Sequence, residues 1–214
     1  MNNKQKLLEH INNNKVFSII RSDERFEPLK IAKALIDGGL TTIEISLDIP
    51  TAAEIISELS KEKDILLGAC SVITVQQATC AIEAGAMYID TPVFDMSIVK
   101  FAKGMDVPLI MGASTANEAY ASWKLNSALT KIFPTKAMGG VQYISDILRM
   151  LPFLTIIASS GIEITDFVDY LKAGAAAVGI GKSLYADASS YEEITENAKI
   201  VRKKLKEYFD DVKI

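Results

Sequence analysis

A chain of 214 residues, 49% apolar and 23% charged, is long enough to bury one sizeable core. Its 27 acidic against 23 basic residues give a formal charge of −4, which argues against broad nucleic-acid or membrane-surface binding and points to a small-molecule partner. A single histidine, His10, leaves no metal site or catalytic triad built on this chain's histidines, and two cysteines, Cys70 and Cys80, are too few for a disulfide scaffold.

The opening Met1-Asn-Asn-Lys-Gln-Lys6 leads into no apolar signal core, and no stretch approaches the roughly 18 uninterrupted apolar residues of a membrane span, so a cytoplasmic protein is expected. Leu7, Leu8 and Ile11 fall at helical spacing and predict a helix capping one end of the domain. The run 16–20 reads as a strand and is followed by Arg21 and Ser22. A helix over 28–37 closes at Gly38-Gly39, and 41–47 is the next strand. The alternation continues with helix 51–59, strand 65–69, helix 75–84, strand 87–90 stopped by Pro92, helix 96–102, strand 108–110 and helix 117–123. A strand around Lys131, broken by Pro134, precedes helix 141–150, strand 154–158, helix 164–171 closed by Gly174, strand 176–180 and two final helical pieces. Eight such units without a linker or charge block predict one (β/α)8 TIM barrel over residues 1–214, with an extra N-terminal helix.

In that fold chemistry gathers at the C-terminal ends of the strands. Glu44 and Lys131, of opposite charge, interrupt otherwise apolar strands. Period-2 alternation turns Ile43 and Ile45 toward the helices, so Glu44 points into the barrel. A buried lysine is paired or titrates low, and its neutral amine attacks carbonyls to form a Schiff base. The blander readings are an ion pair that only holds the barrel together, or a lysine that snorkels to solvent. Other strand ends carry Arg21, Ser71, Asp90, Pro92, Thr115, Phe133 and Ser159. Ser159-Ser160-Gly161-Ile162 and Gly179-Ile-Gly-Lys-Ser183 each follow a strand with small residues and open a helix, the pattern of a phosphate site after strands seven and eight. Gly181-Lys182-Ser183 is no P-loop, because Ala176 stands where its first glycine is required, and Leu184 takes the third-glycine place of a dinucleotide fingerprint.

Together these residues resemble the class I aldolases that cleave 2-keto-3-deoxy-6-phosphogluconate and 4-hydroxy-2-oxoglutarate, over roughly residues 16–185. Lys131-Ile-Phe-Pro-Thr-Lys-Ala-Met-Gly-Gly-Val141 is similar to the family's Lys-Phe-Phe-Pro-Ala segment followed by Gly-Gly-Val. Ile43-Glu-Ile-Ser-Leu47 is similar to its glutamate strand, Gly68-Ala-Cys-Ser-Val72 to its Gly-Ala-Gly-Thr-Val, and Pro108-Leu-Ile-Met-Gly-Ala-Ser-Thr115 to its Pro-Gly-x-x-Thr turn. The resemblance implies Lys131 as the Schiff-base lysine and Glu44 as the general acid and base. It implies substrate contacts from Ser71, Pro92, Thr115, Phe133 and Ser159, and phosphate contacts from Ser160, Gly161, Gly181, Lys182 and Ser183. It also implies no cofactor and no metal, and a homotrimer whose interface could use Met96, Phe101 or Trp123. The expected reaction splits a 2-keto-3-deoxy-(6-phospho)sugar acid or 4-hydroxy-2-oxoglutarate into pyruvate and an aldehyde, glyceraldehyde 3-phosphate or glyoxylate. Lys131 is expected to be kept partly neutral by its apolar surroundings.

The chain departs from the family pattern at several places. Asp48 stands where an arginine usually binds the substrate carboxylate, and a carboxylate there would repel that group. Arg21, counted among the substrate-binding residues, and Lys136 are the candidates to replace the lost charge. Val93, Cys70, Ser160 and Lys182 each replace a glycine. Two other readings of the same loops stay open: a sugar-phosphate epimerase or isomerase, and a binding protein that has lost activity.

Overall fold

Short apolar runs separated by amphipathic stretches fold here into eight parallel strands, each covered by a helix. The computed structural model describes residues 2–212. The strands are β1 (Val16–Ile20), β2 (Thr42–Ser46), β3 (Leu66–Cys70), β4 (Tyr88–Thr91), β5 (Leu109–Ala113), β6 (Leu129–Ile132), β7 (Ile156–Ser159) and β8 (Ala177–Ile180). Each pairs with the next, and β8 pairs back to β1, which closes the barrel and leaves no free sheet edge. Helix α1 (Asn3–Asn14) precedes the barrel. Then α2 (Pro28–Asp37), α3 (Ala52–Leu59), α4 (Val75–Glu83), α5 (Met96–Gly104), α6 (Ala116–Lys124), α7 (Gly140–Met150), α8 (Phe167–Lys172) and α9 (Tyr191–Val212) follow the strands in turn. The predicted barrel and its extra N-terminal helix are both present.

Alternation along each strand divides the core. Val16, Ile20, Ile43, Ile45, Leu67 and Ile89 pack outward against the helices, while Phe17, Ile19, Leu66, Tyr88, Leu129 and Ile157 fill the lumen. Leu7 and Ile11 of α1 join the lumen cluster and plug the N-terminal end, with His10 Nε2 3.0 Å from Thr42 Oγ1. An Asn2–Gln5 capping box starts that helix. Differences from expectation are local. β5 runs on to Ala113, and α8 begins at Phe167, after a turn over residues 164–166 in which Asp166 accepts the Glu163 N–H at 2.8 Å. Among the described residues no helix is long and apolar enough to cross a membrane.

Candidate active site

The strand register sets Glu44 of β2 beside Gly68 of β3, and Lys131 of β6 beside Gly112 of β5. Both charged side chains enter the lumen and meet there. Lys131 Nζ lies 2.8 Å from Glu44 Oε2 and 3.1 Å from Oε1, and it also contacts the Asp90 carboxylate from β4. Relative exposure is 5% for Lys131, 0% for Glu44 and 4% for Asp90, so water screens this triad little. The Phe17 ring supports the ammonium from 5.5 Å. Tyr88 donates its hydroxyl to Glu44 Oε1 at 3.3 Å, and its ring fits only because position 68 is glycine: a Cβ there would lie 2.2 Å from the ring.

These contacts correct the expectation of a partly neutral lysine. Burial does press Lys131 toward neutrality, but the facing carboxylates of Asp90 and Glu44 outweigh it and raise the amine's pKa, so the resting group is an ammonium. Glu44 is driven the other way. Burial raises its carboxyl, attraction to Lys131 opposes this, and repulsion from Asp90 adds to it, leaving a pKa of about 7. Burial and the Glu44 charge also hold Tyr88 well above the usual phenol range, so it remains a donor. The thiol of Cys70, buried and facing the same carboxylate, is pushed up to about 12 and stays protonated.

Above the triad opens a cavity of about 940 Å³ at the C-terminal ends of the strands. Lys131 and Asp90 reach its wall, together with Arg21, Ser71, Pro92, Phe133 and Ser159. The loops after β7 and β8 bring Ser160, Gly161, Gly181, Lys182 and Ser183 to the same wall. Gly161 takes φ +79° and lies under the Lys136 side chain, where a Cβ would come within 2.5 Å of Lys136 Cβ. The N–H groups of Gly161 and Ile162 donate to no other group among the described residues. Ser183 Oγ accepts the Ile164 N–H at 3.0 Å and ties the two loops together. Ser71 and Ser160 hold left-handed backbone, φ 62° and 76°, a strained conformation for residues with a Cβ.

Three expected placements change. Thr115 stands off the cavity wall and caps α6, accepting the Glu118 N–H at 3.3 Å. Asp48 does not line the cavity either. Its carboxylate takes the Arg21 Nη1 at 2.9 Å and steers that guanidinium, which also reaches Ser46 Oγ at 3.2 Å, so the feared repulsion becomes a positioning contact. Lys136 is committed to Glu163 at 2.8 Å and stays off the wall, on which Arg21 and Lys182 supply the positive charge besides Lys131. Of the three residues offered for a subunit interface, Met96 and Trp123 are exposed, whereas Phe101 packs half-buried against the core. Sequence reasoning gave Asp90, Tyr88 and Ser46 no role. The signal for Asp90 was the one used for Glu44, since Ile89 beside it faces the helices. No cluster of three or more His, Cys, Asp or Glu side chains suited to a metal occurs among the described residues.

The family model of KDPG and KHG aldolase matches residues 7–202. The chain is 29% identical over 166 residues to the 2-dehydro-3-deoxy-phosphogluconate aldolase of Treponema pallidum, covering 77% of this chain and 79% of that one. It is 28% identical over 186 residues to the 2-dehydro-3-deoxy-6-phosphogalactonate aldolase of Escherichia coli K12, covering 86% and 90%. A solved native KDPGal structure superposes with a TM-score of 0.82 at 27% identity, over 91% of this chain and 96% of that one. With a barrel of the same shape, and a family match running from the N-terminal plug into the last helix, the chain belongs to the KDPG and KHG aldolase family.

Proposed function

We propose that this aldolase works through a Schiff base. Lys131 joins the keto carbon of a 2-keto-3-deoxy acid, and the C3–C4 bond then breaks to give pyruvate and an aldehyde. The observation that carries this reading is a buried lysine at the floor of an open cavity, with a carboxyl of pKa about 7 only 2.8 Å from its nitrogen. An ammonium cannot attack a carbonyl, so a proton must leave Nζ first. Glu44 is matched to receive it at neutral pH. Once water has left, the protonated imine draws the C3–C4 electron pair toward nitrogen while the C4 hydroxyl loses its proton to a base. The enamine is then protonated at C3, and water releases pyruvate.

Arg21 supports recognition of the substrate carboxylate. Nη1 is engaged by Ser46 and Asp48, which leaves the rest of the guanidinium fork for a ligand in the cavity it lines. The unpaired N–H groups of Gly161 and Ile162, with Lys182 on the same wall, support a phosphate at the far end of the substrate. The names of the Treponema and Escherichia relatives above specify phosphorylated six-carbon acids and favour glyceraldehyde 3-phosphate as the aldehyde, while the family's own name also includes KHG. The cavity, about 940 Å³, has room for the larger substrate.

The test is pyruvate release from 2-keto-3-deoxy-6-phosphogluconate, its galactonate epimer, the unphosphorylated gluconate analogue and 4-hydroxy-2-oxoglutarate. A phosphorylated substrate should lead in kcat/KM by more than about tenfold. Equal rates with and without phosphate would remove the phosphate site, and pyruvate from none of the four would contradict the aldolase reading. The family resemblance further suggests a homotrimer, which a molar mass from light scattering tests directly.

A further inference from the structure

Two carboxylates meet Lys131, and they face different surroundings. Glu44 has no exposed surface, stands off the cavity wall and carries the Tyr88 hydroxyl on Oε1. Asp90, on β4, is part of the cavity wall and touches the same nitrogen. A keto group that approaches Nζ from the cavity therefore meets Asp90, while Glu44 lies behind the lysine.

We propose that Asp90 is a second catalytic acid–base residue, serving the substrate side of Lys131 while Glu44 serves the nitrogen from beneath. This assignment rests on the Schiff-base reading above. Forming the imine moves two protons from nitrogen to the carbonyl oxygen, which leaves as water. Glu44 takes one proton from the ammonium and frees the lone pair that makes the N–C2 bond. Asp90 carries a proton from the new NH2+ group to the oxygen. Glu44 then returns its proton to nitrogen, Asp90 carries the second proton across, and the C2–O bond breaks with loss of water. Both carboxyls end ionised and the iminium holds the positive charge that the ammonium held before. In cleavage, the C3–C4 electron pair becomes the C2–C3 double bond and the iminium pair returns to nitrogen. Asp90 takes the C4 hydroxyl proton and gives it to C3 of the enamine, so each cycle leaves it as it began.

A counter-ion that only held the ammonium would have no part in the step at C3, and that separates the two roles. Pyruvate is the probe. Its imine exchanges methyl protons in deuterium oxide through the same C3 transfer, while borohydride trapping counts the imine on Lys131. Exchange per trapped imine should fall by about 100-fold in Asp90→Asn and recover in part in Asp90→Glu. Glu44→Gln should instead slow the appearance of trapped imine on Lys131. Exchange per imine near wild type in Asp90→Asn would overturn the assignment. Should that variant fail to fold, Asp90→Ser carries the test, with low exchange that rises on adding formate. Exchange that stays high without formate, or stays low with it, overturns the assignment. No imine on the wild-type protein would instead overturn the Schiff-base reading, and this assignment with it.

Discussion

The two ends of the barrel lumen are built by the same strands and do opposite things. At the N-terminal end Leu66, Tyr88 and Leu129 pack with Leu7 and Ile11 of α1 in an apolar plug. Two residues further along β6, Leu129 gives way to Lys131, and two further along β4, Tyr88 gives way to Asp90. One period of the strand repeat, about 6.6 Å, separates the two environments. Burial below stabilises the fold by removing apolar surface from water; burial above places charges where they interact strongly and shift one another's pKa values. Changes at one end should therefore move stability and changes at the other should move chemistry.

The largest effect expected from a single change short of removing the lysine is that of Glu44→Gln, which should lower kcat by about 10²- to 10⁴-fold. Glu44 must be ionised to accept the ammonium's proton, so wild-type activity should rise as pH passes about 7, and this limb should vanish in the variant. The same raised pKa has a stability consequence. The folded protein holds this proton where the unfolded chain has released it, so stability should fall as pH rises from about 4.5 to about 7, and Glu44→Gln should flatten that slope. Leu7→Ala sharpens the other side of the comparison. It should cost about 2–5 kcal/mol in chemical denaturation while leaving the imine trapped per folded molecule unchanged.

Arg21→Ala should raise KM for the keto acid by about 10- to 100-fold with a smaller change in kcat, read from steady-state rates. The Arg21–Asp48 pair is itself half exposed, 42% and 49%, so its contribution to stability is under about 1 kcal/mol and Asp48→Asn should scarcely move the melting temperature. Ser160→Gly, which relieves left-handed backbone at φ 76°, should stabilise by about 1 kcal/mol, seen as a small rise in Tm.

Much of this was legible in the sequence. Regular alternation of apolar runs and helical spacing specified the closed barrel, and a charge inside an apolar strand exposed Glu44 and Lys131, because such residues are rare enough there to stand out. Asp90 was less visible: an aspartate at a strand end before Thr91-Pro92 reads as an ordinary terminator, and only its inward parity marked it. The state of the lysine was not readable, since it depends on how many carboxylates converge from separate strands. Nor was the direction of Asp48, which lies beyond the strand where no periodicity fixes a side chain. Thr115 illustrates the reverse problem. Its place in a motif-like segment suggested a ligand, while Glu118 three residues on made the capping box that it forms.

The central claim is that Lys131 is a nucleophile held charged at rest and discharged through its carboxylates. The most direct measurement is peptide mapping by mass spectrometry after incubation with pyruvate and sodium borohydride, on the wild-type protein and on Lys131→Ala. The account predicts a reduced pyruvyl adduct on the peptide carrying Lys131 and none anywhere in the variant. No adduct on the wild type, or an adduct that survives in Lys131→Ala, would contradict it.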